Sequence, residues 1–147
     1  MTTATLTVAE QRDLKALVAE MIPASTAYGV PGADDEAIFA DIVKSLERDT
    51  DDARTSLRLL FELSGGSFAG LDQTRRREIA AAFKAQGGAA LFALNRVVLL
   101  CYYRDDRVMR SLGQEPRSPF PKGHVVEQGD WSLLDPVKKR APFWRRA

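Results

Sequence analysis

The apolar residues of this chain recur at the three- to four-residue spacing of amphipathic helices. Thr7-Val8-Ala9-Glu10 matches a capping box, the pattern that starts many helices. Apolar residues then follow at helical spacing: Leu14, Leu17, Val18 and Met21. Because Pro23 disfavours helical backbone in the residue before it, we expect the first helix to end at Ile22. The glycine- and proline-containing stretch 23–33 should then form a shaped loop.

Two further helices are predicted before residue 65. Asp34 or Asp35 can cap the second helix. Its apolar face is formed by Ile38, Ile42, Val43 and Leu46. The third helix can be capped by Thr50, Asp51 or Asp52. Its stripe is formed by Leu57, Leu60, Phe61 and Ser64, and the pair Gly65-Gly66 ends the pattern.

Three more helical elements are predicted between residue 66 and residue 113. The fourth helix is predicted to start near Asp72 and to stop at Gly87-Gly88. The fifth, Ala89 to about Arg104, is apolar nearly all round, so we expect it to be the central helix, packed by the others. A short sixth turn, 106–112, closes at Gly113.

These elements predict an all-α fold, a compact bundle of about five or six helices over residues 1–113. No strand-like alternation of useful length competes with the helical periodicity, and the connections are short. The 147 residues, 45% of them hydrophobic, suit one domain with a real core. The bundle should therefore fold without disulfides or metals.

Residues 114–147 differ in character and are predicted to form a long extended, proline-rich C-terminal arm. They contain five of the seven prolines and both tryptophans, Trp131 and Trp144. Disordered tails are poor in aromatic residues, so this arm has apolar surface to bury. It can wrap its own bundle or lie along a partner, and the last ten residues add five cations and no acid.

Charge and hydropathy limit the partners. Lys and Arg total 21 against 20 Asp and Glu, which gives no general attraction for nucleic acid. The most apolar stretch, 89–103, is shorter than the roughly 20 residues of a membrane span and contains Asn95 and Arg96, so direct membrane insertion is not expected. The first residues lack a basic and apolar signal pattern, which predicts a cytoplasmic chain. The alternative is a periplasmic one, if a signal was removed or is carried by the partner.

The sequence predicts no catalytic, cofactor-binding or metal site. His124 is the only histidine and Cys101 the only cysteine, and neither GxGxxG nor GxxxxGK[ST] occurs. Cys101, next to Leu99 and Leu100, should be a buried, inert thiol. Three acidic doublets lie where helices should begin, which favours capping over acid–base chemistry: Asp34-Asp35, Asp51-Asp52 and Asp105-Asp106. Of Tyr102 and Tyr103, one ring should pack in the core and the other face outward.

Several short motifs, in this order, resemble the gluconate 2-dehydrogenase subunit 3 family. They span most of the chain: Met21-Ile22-Pro23-Ala24, Pro31-Gly32-Ala33, Phe68 and Leu71, Tyr102-Tyr103, Leu112-Gly113, Pro121-Lys122-Gly123 and Trp144-Arg145. Many members of that family begin with a twin-arginine signal, which this sequence lacks.

The resemblance implies an accessory role. Members associate with a large flavoprotein of the glucose-methanol-choline (GMC) oxidoreductase type, which binds FAD and oxidises a sugar, a sugar acid or a glycoside. It implies that this chain is a non-catalytic, chaperone-like small subunit without a cofactor, in a heteromer that passes electrons to a cytochrome c or another acceptor. The residues expected to bind the partner are Tyr103, Pro121, Lys122, Gly123, Trp131, Phe143, Trp144 and Arg145.

Two other functions are compatible with the pattern. One is a self-contained helical ligand-binding or regulatory protein, whose arm packs on its own bundle. The other is a helical enzyme using an acidic residue with Tyr102 or Tyr103, although the sequence contains no evident base–nucleophile pair.

Overall fold

The structure is a computed structural model and describes residues 5–118, 120, 122–123 and 125–141. In this part of the chain the elements are helical, which confirms the predicted all-α class. The α-helices are α1 Val8–Met21, α2 Glu36–Ser45, α3 Thr50–Ser64, α4 Gln73–Gln86, α5 Ala89–Tyr103, α6 Asp106–Ser111 and α7 Asp135–Lys138. Short 3-10 helices cover Glu47–Asp49, Phe68–Gly70 and Trp131–Leu134.

The predicted start and end of α1 are confirmed. The amide of Glu10 donates to the Thr7 hydroxyl at 3.2 Å, and the Thr7 amide donates to the Glu10 carboxylate at 2.7 Å. This reciprocal capping box satisfies two amides that lack partners inside the helix. Ile22 is the C-cap, immediately before Pro23.

Acidic side chains cap three other helices as expected. Asp35 accepts from the amides of Ala37 and Ile38 at the start of α2. Asp72 caps α4 and Asp105 caps α6 in the same way. For two of the three doublets, the structure thus gives one carboxylate a capping contact.

The predicted cap of α3 is wrong. The 3-10 helix Glu47–Asp49 runs directly into α3, so Thr50 is already the first helical residue and its hydroxyl donates back to the Glu47 carbonyl oxygen at 2.7 Å. Asp49 holds the cap position without a side-chain cap. Asp51 and Asp52 lie in the first turn, where their charge favours the positive end of the helix dipole.

A hydrophobic core joins the helices of the first compact unit, Met1–Pro116. α2 and α3 pack against α5, and α1 packs against α4 and against the 3-10 helix Phe68–Gly70. Phe68 is the largest fully buried side chain among the described residues, and Cys101 is buried as predicted. These contacts fix one side of α5 firmly in the bundle.

The loop between α1 and α2 is shaped by backbone contacts. Ser25 and Val30 exchange two hydrogen bonds, at 3.0 and 3.1 Å, and the amide of Ala33 donates to the Ile22 carbonyl oxygen at 2.9 Å. Gly32 lies in the tightest part of the loop, where an added Cβ would stand 2.9 Å from the Ala24 nitrogen. The predicted shaped loop is confirmed.

No single helix in the described ranges is long and apolar enough to cross a membrane. α4 and α5 reach that length and composition only as a pair, and the chain bends by 118° between them.

The second compact unit is Arg117–Ala147, against a predicted arm of 114–147. Its described part is not extended throughout, because the 3-10 helix Trp131–Leu134 continues into α7. Asp130 caps this segment by accepting from the Ser132 amide at 3.0 Å, and Pro136 lies in the first turn of α7. Proline is tolerated there because a first-turn amide has no helical acceptor. The extended conformation of the rest of the arm stays a prediction.

Candidate partner-binding surface

One side of α5 is exposed and apolar, which contradicts the expectation that the other helices cover it on all sides. Phe92 is 69% exposed, Leu99 45%, Leu100 56% and Tyr103 52%. At positions i, i+7, i+8 and i+11 these side chains lie along one face of the helix. We call this set of four residues the α5 stripe. The bundle has too few neighbouring helices on that side to cover it.

The opposite side of α5 is buried, so the orientation of the stripe is fixed. Leu94, Val98 and Tyr102 are each at most 5% exposed. The Tyr102 ring meets the Tyr103 ring edge-on, with centroids 5.3 Å apart and planes at 87°. The prediction that one tyrosine packs in the core and the other faces outward is therefore confirmed. Burial, with the nearby Tyr103 and Asp105, raises the pKa of the Tyr102 phenol.

Two arginines border the α5 stripe, and each forms an ion pair with an acidic residue of a neighbouring element. Arg96 lies 2.7 Å from the Asp49 carboxylate. Arg104 donates from Nε to Asp41 at 2.6 Å and also donates to the Ser45 hydroxyl at 2.6 Å. This contact with Arg104 lowers the pKa of the Asp41 carboxyl, so the pair stays charged over most of the pH range. The border of the stripe is polar and positionally restrained.

A groove lies beside the stripe because α4 and α5 diverge. Gly87 and Gly88, which connect the two helices, adopt φ values of 64° and 98° that favour glycine. The direction of the chain changes by 118° from α4 to α5. The groove between α1, α4 and α5 has a volume of about 430 Å³. Its apolar lining includes Leu17, Met21, Ile22, Ala81, Phe83 and Leu91.

The groove and the α5 stripe form one continuous surface. Asn95 and Leu99 line both the groove and the shallow hollow over the stripe. Contiguous exposed apolar surface of this kind marks interaction sites on soluble proteins. The combined feature is the candidate functional site of the described residues.

The groove has a charged rim. Arg77 and Lys84, both on α4, and Glu20 on α1 contribute to it. Glu20 accepts a hydrogen bond from the side-chain Nε2 of Gln73 at 2.7 Å, and its carboxylate lies 3.9 Å from Arg77 Nε. The rim thus carries two cations and one acid.

Of the eight residues predicted to bind a partner, the structure describes four, and these belong to two different units. Tyr103 lies on the α5 stripe. Lys122, Gly123 and Trp131 belong to the second unit, where Trp131 is 62% exposed. The remaining four lie outside the described residues: Pro121, Phe143, Trp144 and Arg145.

Sequence reasoning missed Phe92, Leu99 and Leu100 as surface residues. A signal for their exposure was present, because Asn95 and Arg96 fall on the same side of the helix as these three. A helix side that carries an amide and a guanidinium is a poor candidate for complete burial.

Two observations concern the metal-binding and nucleophilic side chains of the described residues. Within the ranges 5–118 and 125–141, no group of three or more His, Cys, Asp or Glu side chains could hold a metal ion. Desolvation raises the pKa of the Cys101 thiol, which keeps it in the unreactive protonated form.

No family model, no curated protein and no solved structure matches this chain. The resemblance to the gluconate 2-dehydrogenase subunit 3 family accordingly stays a prediction. The fold and the site define an all-helical protein with a continuous apolar surface formed by α1, α4 and α5.

Proposed function

We propose that this chain is a non-catalytic small subunit that binds and stabilises a large FAD-dependent flavoprotein of the GMC type. The flavoprotein would oxidise a sugar, a sugar acid or a glycoside, and it would carry the FAD and the reaction centre. The observation that carries the proposal is the α5 stripe, a row of four large side chains on a helix whose opposite side is anchored in the core.

Covering the exposed area of the α5 stripe would stabilise a complex. Burying a large apolar side chain contributes about 1.5–3 kcal/mol when it passes from full exposure to full burial. Because the four side chains are 45–69% exposed, covering them would contribute several kcal/mol in total. A partner of complementary shape gains this energy, whereas a nearly neutral chain offers little long-range attraction. The surface is thus suited to recognition by shape.

The identity of the partner rests on the family resemblance. The proposal places a cytochrome c or another electron acceptor downstream of the flavoprotein, reached through the complex. It places the complex in the cytoplasm, or in the periplasm if a signal was removed from this chain or is carried by the partner.

Co-purification from the native host tests this proposal. The chain is tagged at its N-terminus, away from the predicted arm, and the eluate is examined by absorption spectroscopy and mass spectrometry. We expect a flavin spectrum together with a large second polypeptide, which can then be assayed against sugars and glycosides. A colourless, monodisperse monomer would contradict the proposal.

A self-contained ligand-binding protein is the second candidate, and the groove volume of about 430 Å³ favours it, because this lies within the usual range for small-molecule sites. Native mass spectrometry of the purified chain separates the two candidates. A bound small molecule of defined mass on a monomer would favour ligand binding, and a large polypeptide partner would favour the subunit.

A further inference from the structure

We infer that the groove and the α5 stripe together receive an amphipathic helix of the partner protein, whose apolar seam is flanked by acidic side chains. The inference rests on the proposed function in taking the occupant to be another protein. Beyond the proposed function, it specifies that the docking segment of the partner is a helix, and it gives the length and the charge of that helix.

The spacing of the stripe fits a helix. Phe92, Leu99 and Tyr103 stand at i, i+7 and i+11, so they are separated by one full heptad and then by the four residues between a d position and the next a position. This is the spacing of a seam along which a second helix can pack. From Phe92 to Tyr103 the helix rises about 16 Å, which is about three turns. A docking helix of three or more turns would cover the stripe and continue over Leu99 towards the groove.

An extended peptide fits this surface less well. The groove and stripe are formed by α1, α4 and α5, whose backbone groups are bonded within their own helices except at the ends. An extended segment would find no sheet edge here to pair its amides and carbonyls, and burying them unpaired is unfavourable. A helix satisfies its own backbone and presents only side chains.

The charge of the border favours an acidic helix. The groove rim carries Arg77 and Lys84 against Glu20. Along the stripe, Arg96 and Arg104 each form an ion pair with one acidic residue of this chain. These ion pairs do not use all five N–H donors of each guanidinium. The remaining N–H donors can bind carboxylates of the docking helix, and Lys84 can form an ion pair with a further carboxylate of that helix.

The same charges disfavour a second copy of this chain as the occupant. A two-fold contact sets the same patch on both subunits, so a rim with Arg77 and Lys84 against Glu20 would meet a rim of the same net positive charge. Like charges brought together in an interface weaken it.

Two synthetic helices test the inference on the full chain. Each peptide has about 20 residues with Leu at the a and d heptad positions, long enough for measurable helicity. One carries Glu at positions e and g, and its twin carries Lys. Repulsion between like peptides keeps both from pairing with themselves. Fluorescence anisotropy is expected to show that the acidic peptide binds about tenfold or more tightly than the basic one.

Matched substitutions locate the binding on the groove. Ala81 lines the groove, whereas its neighbour Ala82 is exposed on α4 and does not line it. Ala81→Arg fills the groove and is expected to weaken acidic-peptide binding about tenfold or more, since it removes space that the docking helix needs. Ala82→Arg adds the same charge outside the groove and should leave the affinity unchanged within about twofold. Circular dichroism of both variants checks that the bundle stays folded.

Several outcomes would overturn the inference. Equal affinity for the two peptides would remove the charge argument, and equal binding by Ala81→Arg and Ala82→Arg would place the peptide elsewhere. Self-association of the wild-type chain that disappears in Ala81→Arg would show that a second copy is the occupant.

Failure of the inference can be told from failure of the proposed function. If Ala81→Arg retains the flavoprotein as well as the wild-type chain does, the function stands and the groove inference is wrong. If the wild-type chain brings down no flavoprotein but binds the acidic peptide through the groove, the docking inference stands and the identity of the partner is wrong.

Discussion

The hydroxyl of Tyr102 donates a hydrogen bond to the carbonyl oxygen of Pro31, with 3.1 Å between the two oxygens. It ties the buried side of α5 to the loop that joins α1 and α2. The next residue, Tyr103, is 52% exposed and ends the α5 stripe. Two adjacent tyrosines thus have separate roles, because one fixes the helix and the other presents a surface.

Replacement of each tyrosine by phenylalanine should separate these roles. Tyr102→Phe removes the hydrogen bond and leaves the Pro31 carbonyl without it, so we expect a loss of about 1 kcal/mol in the free energy of unfolding. Tyr103→Phe is the matched control and should change stability by less than about 0.5 kcal/mol, since the ring is half exposed. Urea denaturation followed by circular dichroism measures both, and equal losses would contradict the assignment.

The loop between α1 and α2 should not tolerate a side chain at Gly32. A Cβ there would lie 2.9 Å from the Ala24 nitrogen and 3.1 Å from the Ile22 carbonyl oxygen, both backbone atoms that cannot rotate away. We expect Gly32→Ala to destabilise the chain by about 1–3 kcal/mol, as overpacking generally does. Gly70→Ala is the control, because its Cβ would meet nothing closer than 4.0 Å. Thermal unfolding of the two variants checks the difference.

The buried hydroxyl of Ser56 offers a stabilising substitution. Ser56 is 2% exposed and its hydroxyl has no hydrogen-bond partner in the described structure. Because an unpaired buried hydroxyl is unfavourable and alanine is the better helix former, Ser56→Ala should stabilise the chain by about 1 kcal/mol. Ser64→Ala is the control in the same helix, where the hydroxyl donates to the Leu60 carbonyl oxygen at 2.7 Å. A melting temperature raised by Ser64→Ala but not by Ser56→Ala would contradict this account.

Stability should fall in acid because Arg107 binds two carboxylates. Its hydrogen bonds to Asp35 and Asp105 lower the pKa of both carboxyls. The unfolded chain then binds more protons than the folded chain in the acid range, so stability falls as pH drops. The full contribution is expected above pH of about 4, near the ordinary pKa of aspartate, and is lost progressively below it.

Two arginine substitutions isolate that contribution. Arg107→Met should flatten the dependence of the free energy of unfolding on pH below about 4, because the two carboxyls then titrate closer to their unfolded values. Arg110→Met removes only an exposed i,i+4 pair with Asp106 and should leave the slope close to that of the wild-type chain. Denaturation curves at a series of acidic pH values give both slopes, and an unchanged slope in Arg107→Met would refute the linkage.

Much of the bundle could be predicted from sequence because helix ends depend on short-range contacts. Thr7, Asp35 and Asp72 all cap helices through amides two or three residues away, so the capping residue and its targets lie within one short window. The start of α3 could not be predicted in this way. There the 3-10 helix Glu47–Asp49 runs straight into the α-helix, and the usual break before a cap is absent.

The candidate site was harder to predict because burial depends on how many helices surround a given one. An apolar helix is central only if its neighbours cover every side. The chain bends by 118° between α4 and α5, and α4 contributes no residue to the hollow over the α5 stripe. That angle follows from the conformations of Gly87 and Gly88, which the sequence does not specify. The helical segment 131–138 was not predicted, for a different reason. A proline can break a helix or occupy its first turn, and Pro136 occupies the first turn of α7.

The most direct test of the central claim compares two aspartate substitutions in the tagged chain purified from its host. Phe92→Asp places a charge on the α5 stripe, and Phe61→Asp places one on an exposed phenylalanine of α3 that lines neither the groove nor the hollow over the stripe. We expect Phe61→Asp to retain the flavin-containing partner, whereas Phe92→Asp should stay folded and lose about nine-tenths of it or more. Equal retention of the partner by the two variants would contradict the claim that this chain binds its partner through α5.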